Sequence, residues 1–69
     1  MDKCWTDQAE QIIRHLDVYD NEQKIWILRG DLEDLRDHLK GTKYETEDEV
    51  VLANMANVAV RIIRGDWHD

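Results

Sequence analysis

Sixty-nine residues make one small domain, which buries only about 60% of the surface its unfolded chain exposes and is marginal without further support. The single cysteine, Cys4, excludes an internal disulfide, and no Cys and His residues stand at zinc-ligand spacing, so oligomerisation is the staple left. Asp and Glu outnumber Lys and Arg by 16 to 9, a net charge of −7 that repels phosphates, disfavours direct nucleic-acid binding and attracts a basic protein surface.

The absence of proline, three glycines, and abundant Leu, Ile, Ala, Glu, Gln, Arg and Lys favour helix. The first helix is expected over 6–17, capped by Thr6 or Asp7, with Trp5, Ala9, Ile12, Ile13 and Leu16 on one face. A polar turn interrupted by Val18 and Tyr19 follows, with Asp20 or Asn21 as the next cap. The second helix is expected over 21–40, where Ile25, Leu28, Leu32, Leu35 and Leu39 alternate steps of three and four and form a packing seam roughly 80° wide.

After Gly41, Thr46 and Glu49 have capping-box spacing and open a third helix over 46–64, ending before Gly65. Its Val51, Leu52, Met55, Ala56, Val58, Ala59, Val60, Ile62 and Ile63 spread apolar surface over roughly 220°, wider than the arc near 100° of an ordinary surface helix. The helix must therefore be sandwiched between its own neighbours or face a second chain. The expectation is an all-α, single-domain three-helix bundle that dimerises through helix three, with Leu52, Met55, Ala56, Ala59 and Ile63 at the interface. With no disulfide framework, secretory leader or apolar run near 20 residues, the chain reads as cytoplasmic and off the membrane.

Outside its leucine seam, the second helix presents Trp26 and Ile27 beside Gly30, Asp31, Glu33, Asp34 and Asp37. A large aromatic ringed by carboxylates suits a protein-binding hot spot: the ring supplies desolvated area, and the acids steer and pair with Lys or Arg. Gly30 costs about 1 kcal/mol relative to Ala inside a helix and leaves a gap beside the ring. The same acids, together with Glu45, Glu47, Asp48 and Glu49, also imitate a line of phosphates, although Arg29, Arg36 and Lys40 partly neutralise them.

Catalytic and metal-binding candidates are thin. His15, His38 and His68 lie far apart, and Asp34 with His38 forms only an ordinary i,i+4 pair. Asp66, Trp67, His68 and Asp69 read as a tail, with Trp67 folding back onto the bundle, and Cys4 has only Lys3 as an adjacent cation. Arg61 and Arg64 beside Asn54 and Asn57 are too few for phosphate-based affinity. Arg-Gly-Asp occurs at Arg29 to Asp31 and at Arg64 to Asp66, but adhesion would require secretion and an exposed loop, and the first copy falls within a predicted helix.

No cofactor, metal or enzymatic activity is expected. The expected function is that of a small acidic protein-binding module, an inhibitor or modulator of phage or plasmid type. It would occupy a basic surface of a host nucleic-acid-handling protein, partly by charge mimicry. The alternative is a homo-oligomeric helical subunit assembled through helix three.

Overall fold

The computed structural model describes residues 2–66, with side chains described from Trp5 onward. All regular structure among these residues is helical: α1 (Asp2–His15), α2 (Asn21–Gly30), α3 (Leu32–Leu39) and α4 (Glu49–Arg64). No helix of the described residues is long and apolar enough to cross a membrane. Cys4's side chain and the segment Trp67 to Asp69 lie outside the described residues, and with them the thiol, the tail and the Trp67 contact considered above.

The helix expected over 21–40 is broken in two. Asp31 takes an extended conformation, φ −150° and ψ 114°, and serves both pieces. Its N–H donates to the Ile27 carbonyl at 3.5 Å to close α2, while its Oδ1 accepts the Glu33 N–H at 2.8 Å to open α3. Gly30 precedes the break with open space where a Cβ would stand, so crowding does not impose it. The leucine seam survives because the two pieces turn the same side inward: Leu28, Leu35 and Leu39 are buried, and Ile25 and Leu32 pack half-buried against them. Asp31→Ala removes a helix cap and is expected to destabilise the fold by about 1 kcal/mol. In a domain of this size that lowers Tm by roughly 4–8 °C, read by thermal circular dichroism.

The first helix begins before Thr6 and ends at His15, earlier at both ends than expected. Its predicted face is correct, with Ala9, Ile12 and Leu16 buried and Trp5 and Ile13 packed against the core. Asp20 caps α2 in a reciprocal box with Gln23, whose N–H donates to Asp20 Oδ1 at 2.9 Å while its Oε1 accepts the Asp20 N–H at 3.1 Å.

At α4 the Thr46–Glu49 box does not form. Asp48 is the cap, its Oδ1 accepting the Val51 N–H at 2.9 Å, and Glu49 turns to Arg36 on α3 at 2.7 Å. The later start follows from the preceding loop, which drives Tyr44 into the core at 3% exposure. There Gly41 adopts a left-handed φ of 82° and donates its N–H to Glu45 Oε2 at 2.7 Å, and Thr42 Oγ1 donates to the Leu39 carbonyl at 2.6 Å. Gly65, φ 81°, ends α4 as expected.

The wide apolar arc of α4 is covered in part by the chain itself, with Val51, Val58 and Ile62 half-buried and Val50 71% exposed. Leu52, Met55, Ala56 and Ala59 lie in the core, Ile63 packs half-buried against it, and α4 rests chiefly on α1 and α2. Of the five residues expected at an interface, four are thus covered within the chain and Ile63 keeps part of its surface exposed.

Lys24 is buried on the inner side of α2, with its Nζ 3.9 Å from the exposed Asp17 carboxylate. The stem fills apolar space while the ammonium reaches the edge of the helix. Lys24→Met keeps that packing and removes the desolvated charge, so equilibrium denaturation is expected to show stability unchanged or raised by about 1 kcal/mol.

Candidate functional site

Successive side chains of a helix are set about 100° apart, so with Leu28 facing inward Trp26 points about 160° away from it. Trp26 is accordingly 71% exposed, although most large apolar side chains of the fold are covered. Ile27, about 100° from Leu28, is buried but stands apart from the main core cluster. Together with Tyr19, Glu22 and Gln23, these two line a cleft of about 390 Å³. Tyr19 is held in its wall by stacking on His38 of α3, ring centroids 5.4 Å apart and planes inclined by 28°. Val18, next to Tyr19 in the chain, is 87% exposed.

Asp31, Glu33, Asp34 and Asp37, expected around Trp26, are not among the residues lining its cleft. Asp31 is spent as the cap between α2 and α3. On α3, Glu33 and Asp37 lie on the flank away from His38 and line a separate groove with Arg36, Lys40 and Glu45, where Asp37 pairs with Lys40 at 3.3 Å. Asp34, one turn before His38, lies on the opposite flank, the one that meets Tyr19. Gly30 is exposed at the helix junction and does not line the Trp26 cleft. The cleft therefore joins Trp26 and Ile27 to Tyr19, Glu22 and Gln23, three residues outside the expected site.

Three of the four acids of the second group are engaged in the fold. Glu45 accepts the Gly41 N–H, Asp48 caps α4 and Glu49 pairs with Arg36. Cations stand among these acids, Arg36 pairing with Glu49 and Lys40 with Asp37.

His15 is exposed, and His38 stacks on Tyr19, its Nε2 buried with no hydrogen-bond partner among the described residues. Among the described residues no three His, Cys, Asp or Glu side chains converge to hold a metal ion. Asn54, Asn57, Arg61 and Arg64 are exposed along α4. The first Arg-Gly-Asp copy sits at the α2–α3 junction and not within a helix, its aspartate engaged in capping. No family model, no curated protein and no solved structure matches this chain.

Proposed function

We propose that this protein is a small acidic protein-binding module, an inhibitor or modulator of phage or plasmid type. It docks through the Trp26 cleft onto a basic surface of a host nucleic-acid-handling protein. The observation that carries the reading is Trp26 itself, 71% exposed on the wall of an apolar cleft in a chain of net charge −7. Leaving a tryptophan in water forgoes roughly 2 kcal/mol or more of burial, and an exposed aromatic within an apolar patch is the kind of feature that a partner surface covers. The surplus acid speeds encounter with a basic surface and competes with nucleic acid for it.

The test is capture of a host partner on the tagged full-length chain at low and high salt, with duplex DNA as competitor and Trp26→Ala bait in parallel. A basic protein that is displaced by DNA and absent from the variant bait is the expected result. Capture that is indifferent to both DNA and Trp26 would overturn the reading.

A further inference from the structure

We infer that the Tyr19–Trp26 cleft takes the apolar side chain of a cationic peptide segment, whose flanking Lys or Arg residues pair with Glu22 and Asp20. The inference rests on the protein-binding reading and assigns the charge partners to a different set of acids from those on α3.

Three other grooves on the described surface each contain a cation of their own. Arg29 lines the groove between α2 and α4, Arg36 and Lys40 line that beside α3, and Arg14 and Lys43 line that between α1 and the Gly41–Asp48 loop. The Trp26 cleft has none, its polar rim being Glu22 and Gln23. The segment that forms it, residues 17–23, carries Asp17, Asp20 and Glu22, all exposed, and no Lys, Arg or His. The next cation, Lys24, is buried, with its Nζ directed to Asp17.

Exposed apolar area therefore coincides here with the carboxylates of Asp20 and Glu22, neither of which pairs with a cation among the described residues. Carboxylates whose charge is not met within the fold lose least when they are paired with a partner's Lys or Arg. Asp20 retains this capacity, because its cap uses only Oδ1. The cleft is walled on its outer side by an exposed ring, which suits a side chain projecting from a larger surface better than a small molecule needing enclosure.

Selecting a random displayed-peptide library on the intact chain, then measuring the best peptide by fluorescence anisotropy, tests the inference. Enriched sequences are expected to place an apolar residue between Lys or Arg residues. Kd is expected to rise about tenfold or more with Trp26→Ala and several-fold with Glu22→Gln and Glu22→Lys, the last chiefly at low salt, while Glu33→Lys leaves it unchanged. Circular dichroism of each variant separates lost binding from lost fold. No enrichment, enrichment of acidic or uncharged peptides, or equal weakening by Glu33→Lys and Glu22→Gln would overturn it. If a host partner depends on Trp26 but not on Glu22, this inference fails alone, whereas a partner indifferent to Trp26 removes the protein-binding reading with it.

Discussion

Leu52→Asp is expected to unfold the chain outright, giving a circular dichroism spectrum without helix at room temperature. Leu52 is fully buried in the cluster that joins all four helices, alongside Leu35, Leu39 and Met55. Truncating such a leucine to alanine costs about 2–5 kcal/mol, and an unpaired carboxylate in the same place adds its desolvation. A domain of this size has a total stability of only about 3–10 kcal/mol, so the substitution consumes most or all of it. Ala59→Asp is expected to do the same, because Ala59 is equally enclosed and a larger side chain has no space to occupy. The result bears on function as well as folding. If either variant instead stayed helical and changed only its sedimentation from dimer to monomer, α4 would be an assembly surface and its packing within the chain would not hold the fold together.

The helical class and much of the core were legible because apolar periodicity depends only on spacing. Ala9, Ile12 and Leu16, the inner residues of the Ile25–Leu39 seam, and the inner face of α4 all fall where the period puts them. The break at Asp31 was not legible from that period, since a seam alternating threes and fours reads alike in one long helix or in two that turn the same side inward. The available signal was local: glycine followed by aspartate, then Glu33 and Asp34 as the acids of a new first turn. Tyr44 was missed for the opposite reason. It lies outside any periodic segment, in a loop of successive turns between α3 and α4. At the candidate site, Trp26 was identifiable because the leucine seam leaves it on the outer face. Its neighbours were not, because Tyr19 belongs to a turn whose position is set by stacking across to His38, a contact no linear pattern encodes. The acids of α3 were assigned to Trp26 on the premise of a straight helix, and the break removes that premise.

Trp26→Ala is expected to divide binding from folding. The ring is 71% exposed, so less than a third of its area is withdrawn from water in the free protein. By area that remainder contributes at most about 1–2 kcal/mol, an upper bound because the unfolded chain also covers part of it. Alanine's higher helix propensity on α2 returns part of the difference, and the expected fall in Tm is only a few degrees. Against a partner that covers the cleft the loss is larger: truncating a central tryptophan anchor costs about 2 kcal/mol or more, a weakening of roughly 30-fold. Trp26→Phe, which keeps an aromatic wall opposite Tyr19, is expected to retain most of the affinity. The two readouts together decide the role of the ring. A variant that melts far below the wild type would make Trp26 a structural residue and end the docking hypothesis. One that keeps its helix content and loses its partner leaves the cleft as the reason this small chain exposes a tryptophan at all.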